Sequence, residues 1–189
     1  MIVLAAFWLS IVLFILILLW VLIPALYGLP SVPTKPERIQ KALQLASLQP
    51  NEILYDLGAG DGRVLLIAAR DFGAKAVGLE IGPVQYALIW LRAVASGFGD
   101  QIQIRWENYY EANLGDADVV FVYATSKEVI KLAPHLEKQM KRGARLVSIS
   151  ADFHEWEPSA FEERDLIFVY EMPPTKGSLM SYMLKNAKE

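Results

Sequence analysis

Hydrophobic positions fall into two regimes along the chain. Residues 2–23 are apolar except for Ser10, with Trp8 and Trp20 toward the two ends. A run of that length crosses the ~30 Å hydrocarbon core of a bilayer as one helix, with Trp20 and Tyr27 at one interface. Pro24, Gly28, Pro30, Pro33 and Pro36 then interrupt the pattern and read as a non-helical linker. Beyond it the periodicity is that of a globular domain. Ile39, Leu43 and Ala46 share one face of a helix over 37–48, opened by Pro36. A short apolar strand starts at Ile53, and a helix over 64–72 ends at Gly73. Strand 76–80, helix 83–95 closed by Gly97 and Gly99, and alternating strand 101–106 follow. Residues 118–123 read as a buried strand, 126–142 as a helix kinked or split at Pro134, and 145–150 as a fifth strand. Residues 166–171 and 179–184 read as a closing antiparallel pair. Strands alternating with helices predict an α/β fold with a mostly parallel, doubly wound sheet.

The stretch between the first strand and its helix carries the most chemistry. It reads Tyr55-Asp56-Leu57-Gly58-Ala59-Gly60-Asp61-Gly62-Arg63. Glycines at alternate positions let a ligand approach the backbone, and the helix that follows aims free N–H groups at it. The nicotinamide fingerprint Gly-x-Gly-x-x-Gly fails from Gly58, because Arg63 stands where its last glycine belongs, and it fails from Gly60 as well. Asp56 and Asp61 flank the turn, and two carboxylates would repel a pyrophosphate. They suit a ligand with positive charge near the turn, such as the ammonium and sulfonium of S-adenosylmethionine. Glu80 ends the next strand, where an acid can take a ribose diol.

Asp-Leu-Gly-Ala-Gly-Asp-Gly-Arg followed by Gly78-Leu79-Glu80 resembles motif I and the acidic loop of the seven-strand, class I methyltransferases. With the N-terminal apolar helix and Val32-Pro33-Thr34, the chain further resembles the small membrane-anchored protein-lysine methyltransferases of mitochondria, which act on inner-membrane proteins, and their prokaryotic relatives. The resemblance implies a seven-stranded Rossmann-like domain over 37–189, behind an anchor over 1–27 and a linker over 28–36. It implies S-adenosylmethionine as cofactor. Asp56 would orient the methionine ammonium, and the backbone of Gly58, Ala59 and Gly60, with Asp61, would lie against the methionine moiety. Glu80 would accept from both ribose hydroxyls, and Val32-Pro33-Thr34 would fold over the cofactor mouth. Asn108 stands where relatives usually carry an aspartate on the adenine amino group. Tyr123 and Thr125, after the fourth strand, are the candidates for contact with the acceptor amine. The Asn/Asp-Pro-Pro-Tyr motif of amide and nucleobase N-methyltransferases is absent there. Trp106, Phe153 and Trp156 are candidates to line a substrate channel, although aromatics at strand ends also serve as core.

Composition narrows the field. The chain has 189 residues and a hydrophobic share of 54 %, and the excess lies at the N-terminus. No charged side chain precedes Lys35, so Lys35, Arg38 and Lys41 follow the apolar run with no basic side chain before it. The positive-inside rule then places the domain on the cytoplasmic or equivalent side. A cleaved signal peptide, the rival reading, calls for a basic start and a shorter apolar stretch. The net charge of −3 gives no footprint for nonspecific nucleic-acid binding. With no cysteine and only His135 and His154, the chain predicts neither a disulfide framework nor a His-rich metal site. A methyltransferase for a small lipophilic molecule and a non-catalytic module that keeps the fold are the alternatives. The intact set of Asp56, Gly58, Gly60 and Glu80 speaks against the second of these.

Overall fold

The structure, a computed structural model, describes residues 1–26 and 34–187. The elements run in the order α1 (Ile2–Leu26), α2 (Pro36–Leu45), β1 (Ile53–Leu57), α3 (Arg63–Phe72), β2 (Lys75–Glu80), α4 (Pro83–Ser96) and β3 (Ile102–Trp106). They continue with β4 (Val119–Val122), α5 (Ser126–Gln139), β5 (Arg145–Ile149), β6 (Trp156–Glu157), β7 (Ala160–Glu162), β8 (Ile167–Glu171), β9 (Thr175–Lys176) and α6 (Leu179–Asn186). Seven strands form one sheet in the order β3-β2-β1-β4-β5-β8-β7. The first five are parallel, while β8 runs antiparallel to both β5 and β7. This is the seven-stranded Rossmann-like sheet expected from the sequence.

Burial explains the strand sequences. β1 and β4 occupy the middle of the sheet, covered on both faces, and read as near-continuous apolar runs, Ile-Leu-Tyr-Asp-Leu and Val-Val-Phe-Val. Ile39 and Leu43 of α2, Leu65 and Ile67 of α3 and Ile89 of α4 pack on one face. Val129, Leu132 and Leu136 of α5 pack on the other with Tyr55, Leu57 and Leu79. Each fully buried side chain of this size contributes ~1.5–3 kcal/mol relative to exposure. Strand order reverses at β1, whose neighbours are β2 on one side and β4 on the other. A crevice therefore opens beyond the carboxyl ends of these strands, where doubly wound folds hold ligands.

Three expectations from the sequence need correction. Residues 179–184 are helix α6, not a strand, and β8 instead pairs with β7. Ser178 caps that helix through a reciprocal bond with Ser181, and 179–184 contains no β-branched residue to favour a strand. Helix α5 runs unbroken through Pro134, because the buried stripe Val129, Leu132, Leu136 holds both halves on the sheet. Helix α1 continues past Pro24 to Leu26, where a proline in the last turn forfeits a single hydrogen bond. Of the segment Val32-Pro33-Thr34, the first two lie outside the described residues. Thr34 is buried, and its carbonyl accepts from Arg63 Nη1 at 2.7 Å. The end of the expected linker is thus fastened to the domain.

Candidate cofactor and acceptor site

The glycine turn lies back over β2. The N–H groups of Gly58 and Ala59 both donate to the carbonyl of Leu79 at 3.0 Å, and Gly62 N–H donates to Ala59 at 2.8 Å. Gly60 and Gly62 adopt φ of +57° and +77°, where an L side chain is strained. At Gly62 an added Cβ would also meet Ile89 of α4 at 2.8 Å. The sequence needs glycine there for both reasons.

Glu80 closes this turn from the next strand. Its Oε2 accepts from Gly60 N–H and its Oε1 from Gly82 N–H, both at 2.8 Å. The carboxylate is 7 % exposed, and burial raises its pKa against the lowering effect of the backbone N–H groups of Gly82, Gly60 and Ile81. Glu80 therefore ties the first glycine loop to the second before any ligand arrives, a role the sequence did not disclose.

Asp56 differs sharply. Its side chain is 4 % exposed, and among the described residues no hydrogen bond ends on its carboxylate. Burial, and then the negative charges of Glu80 and Asp61, push its pKa up to about 8. A buried carboxyl with no donor is costly unless a partner supplies hydrogen bonds or positive charge. The donor chemistry of the crevice thus fits a cationic ligand head against Asp56, with a close-approach backbone beside it. S-adenosylmethionine meets both requirements.

Asp61 is engaged elsewhere. Burial alone would raise its pKa, but the hydrogen bonds and charge of Arg63, assisted by Arg92, hold it below the usual carboxylate range. Arg63 Nη2 lies 2.5 Å and Arg92 Nη1 3.2 Å from Asp61 Oδ2. The acid that the sequence places beside the ligand is compensated by arginines and braces the start of α3. Asn108 also has a structural partner, since its Oδ1 accepts from Tyr110 N–H at 3.1 Å. One lone pair of that oxygen remains for an adenine amino group.

On the β4 side, Tyr123 is half-buried and Thr125 is exposed at the start of α5. The Arg38 guanidinium sits over the Tyr123 ring, 5.9 Å from its centroid. Arg38 also donates to the Ser150 hydroxyl at 2.7 Å and to the carbonyl of Asp165. Glu128 is buried one turn into α5 and accepts from the hydroxyls of Tyr109 at 2.8 Å and Tyr110 at 2.6 Å. Burial, followed by the hydrogen bond to Glu128, raises the pKa of both tyrosines, so both hydroxyls remain donors. Neither Arg38 nor Glu128 emerged from the sequence. Thr125-x-x-Glu128 reads as a helix capping box, yet Thr125 makes no side-chain cap, and the glutamate faces the tyrosines. Phe153 and Trp156 do not line a channel. They stack at 4.7 Å, buried against Tyr170. Trp106 is exposed, with Nε1 donating to the carbonyl of Ile81 at 2.8 Å. Among the described residues no group of three or more His, Asp or Glu is placed to hold a metal ion.

Comparison with known proteins agrees with this geometry. Residues 56–160 match the model of the ANTKMT methyltransferase domain. A protein-lysine N-methyltransferase of Saccharolobus islandicus (strain REY15A) is 34 % identical over 130 residues, which cover 68 % of this chain and 81 % of that protein. The mouse adenine nucleotide translocase lysine N-methyltransferase is 26 % identical over 152 residues, which cover 79 % of this chain and 66 % of the mouse protein. Among solved structures, an RNA methyltransferase of Salinibacter ruber in complex with S-adenosyl-L-homocysteine superposes with a TM-score of 0.74. It is 32 % identical, and the match covers 77 % of this chain and 97 % of that one.

Proposed function

The chain belongs to the ANTKMT methyltransferase family of S-adenosylmethionine-dependent protein-lysine methyltransferases, and on that premise we propose that α1 anchors it in a membrane and that it methylates a lysine of a membrane-associated protein. The observation that carries the anchor is α1 itself. Its 18-residue stretch Val3–Trp20 is apolar but for Ser10 and carries no charge, and none of it is buried. Left in water, such a helix would expose a contiguous apolar surface far beyond what soluble domains tolerate. The substrate class follows from the relatives, two of which are lysine N-methyltransferases by name, one of them for the adenine nucleotide translocase.

In this reading the cofactor supplies an electrophilic methyl group on a sulfonium, and the chain does the rest. Asp56 takes the ammonium of its methionine end, and the backbone of Gly58, Ala59 and Gly60 packs against that end. Glu80 accepts from the ribose while keeping the two glycine loops together. Asn108 faces the adenine, and Asp61 acts through Arg63 and Arg92 to hold the start of α3. Tyr123 and Thr125 meet the acceptor lysine. The lysine nitrogen must be neutral to attack the methyl carbon. Its ordinary pKa is about 10.4, and an apolar approach lowers it. As the nitrogen–methyl bond forms, the methyl–sulfur bond would break and the neutral thioether S-adenosylhomocysteine would leave, the amine having given its proton to solvent. Alignment with exclusion of water supplies most of the rate, as oriented reactions gain ~7–11 kcal/mol in this way.

The test is transfer of isotopic methyl from the cofactor to membranes of cells lacking the enzyme, using the purified full chain. Label is expected in protein, recovered after hydrolysis as methyl-lysine. Label in the organic extract would instead make it a small-molecule or lipid methyltransferase. Label in nucleic acid, the activity named for the Salinibacter structure, would also overturn the reading.

A further inference from the structure

Helix α4 turns one face to the sheet and leaves an apolar face uncovered. Ile89 and Ala93 are buried, while Trp90, Leu91 and Val94 are 56 %, 58 % and 56 % exposed. Tyr86 lies one turn before Trp90 on the same side, and its ring faces that of Trp106 from β3 at 6.5 Å. Trp106 is itself 68 % exposed. Arg92 is the one charged residue in the helix, and it is drawn toward Asp61 by an ion pair at 3.2 Å. The result is a continuous patch of two tryptophans, a tyrosine and two aliphatic side chains. A soluble surface of this kind marks an interaction site.

What covers the patch is set by its neighbour. Helix α1 touches α4, and Gln85 Nε2 donates to the carbonyl of Trp20 at 3.1 Å. Trp20 stands toward the C-terminal end of the apolar run 2–23, where the sequence places an interfacial aromatic, so α4 lies level with the end at which α1 leaves the hydrocarbon. We propose that the Tyr86, Trp90, Leu91, Val94 and Trp106 face docks into the headgroup and upper acyl region of the same bilayer that α1 crosses. This rests on the anchor reading above. Tryptophan and tyrosine are the side chains that favour this depth, and an amphipathic helix there sinks its apolar face ~5–10 Å below the surface.

Docking by α4 orients the site. Pro83 follows directly on Glu80-Ile81-Gly82, and Trp106 holds the Ile81 carbonyl beside Glu80. A bilayer under α4 therefore fixes the crevice at the membrane surface. A lysine close to the headgroups then lies within reach.

Site-directed spin labelling of the full chain tests this. The natural sequence has no cysteine, so each Cys variant carries one label. Leu91→Cys and Val94→Cys report the face, Lys138→Cys on exposed α5 reports the far side, and Val12→Cys reports the anchor. All are reconstituted in vesicles of phosphatidylcholine with a minority of phosphatidylglycerol. Collisions with lipid-soluble oxygen and with a water-soluble nickel chelate are then compared. At 12, 91 and 94 oxygen access should exceed nickel access several-fold, and at 138 the order should reverse. Nickel access at 91 and 94 matching that at 138, with 12 still in lipid, overturns the docking and leaves the anchor standing. A water-exposed label at 12 removes the anchor and the docking with it. Spin–spin broadening at 91 that vanishes on dilution with unlabelled chain means that a second copy covers the face, which also overturns the proposal.

Discussion

The carboxyl ends of β1 and β2 and those of β4 and β5 open into one crevice, yet they prepare it differently. At β1 and β2 the backbone is preset: Glu80 holds the N–H groups of Gly60 and Gly82, and Arg63 and Arg92 hold Asp61. Among the described residues one strong group, the buried Asp56 carboxyl, accepts no hydrogen bond. At β4 and β5 the strong groups engage one another. Glu128 takes two tyrosine hydroxyls, Arg38 spans Tyr123, Ser150 and Asp165, and Asp152 takes the Tyr170 hydroxyl. The first end holds a buried carboxyl whose charged form gains from a cationic ligand. The second is a packed wall, and in the proposed reading it is the side that an acceptor chain would meet. If the first end holds the cofactor and the second the acceptor, as proposed, preorganisation belongs on the first, where the ligand is constant.

Asp56→Ala should produce the largest effect. Loss of a charge-assisted contact from a buried site is expected to weaken cofactor binding roughly a hundredfold or more, as measured by titration calorimetry, with methyl transfer falling in step. The same group predicts a pH dependence. Its folded pKa, about 8, lies above the ordinary 3.8, so the folded state holds a proton that the unfolded state releases. Stability without cofactor should fall as pH rises from 3.8 to about 8 and level off above that. A cationic ligand displaces that proton, so affinity should rise with pH up to about 8, and calorimetry in buffers of different ionisation heat should register proton release. In Asp56→Asn both slopes should vanish. Persistence of proton release in that variant would assign it to another group.

Glu80→Ala should weaken cofactor binding at least about tenfold, since hydrogen bonds to a charged acceptor contribute ~1.5–3 kcal/mol each. Because Glu80 also holds Gly60 and Gly82, Glu80→Gln should recover only part of the loss. Unchanged affinity with the fold intact would remove Glu80 from the ribose. Arg63→Ala breaks the brace on Asp61 and the bond to the Thr34 carbonyl. In partly exposed surroundings it should cost about 1 kcal/mol, or about 2–4 °C in Tm by thermal melting, with a smaller effect on cofactor affinity. Tyr123→Phe should be mildest: a two- to tenfold rise in KM for the acceptor, about one hydrogen bond, with KM for the cofactor unmoved. A shift in the cofactor KM alone would place Tyr123 on the wrong side of the comparison.

The same contrast governs what could be read from the sequence. Asp56 to Glu80 is one strand, one turn, one helix and one strand, and its contacts are largely local. The residue types and spacing there led directly to the strand, glycine turn, helix and strand that the structure shows. The hydrogen bonds of Glu80 to Gly60 and Gly82 and the engagement of Asp61 were not visible, because both depend on atoms whose positions only the folded turn fixes. On the other side the contacts join distant parts of the chain. Arg38 precedes Asp165 by 127 positions, and no local pattern signals such a pair. Thr125-x-x-Glu128 even suggests a different partner. Of the closing pair, 166–171 is strand β8 as expected, but 179–184 was misassigned for a related reason: it is short and largely apolar, and the cap that Ser178 and Ser181 form decides for helix. Helix α4 was correctly foreseen, but its uncovered face emerges only when the sheet shows which side is buried.

Removal of residues 1–27 tests most directly that the chain is a tethered enzyme whose membrane segment selects its target. Tethering through such an anchor would raise the effective concentration of membrane targets toward about the millimolar range. The shortened chain should bind cofactor with nearly unchanged affinity and methylate a detergent-solubilised target or a peptide. Its rate on native membranes should fall sharply. Equal rates on native membranes for the two chains would contradict the account, because the anchor would then play no part in choosing the substrate.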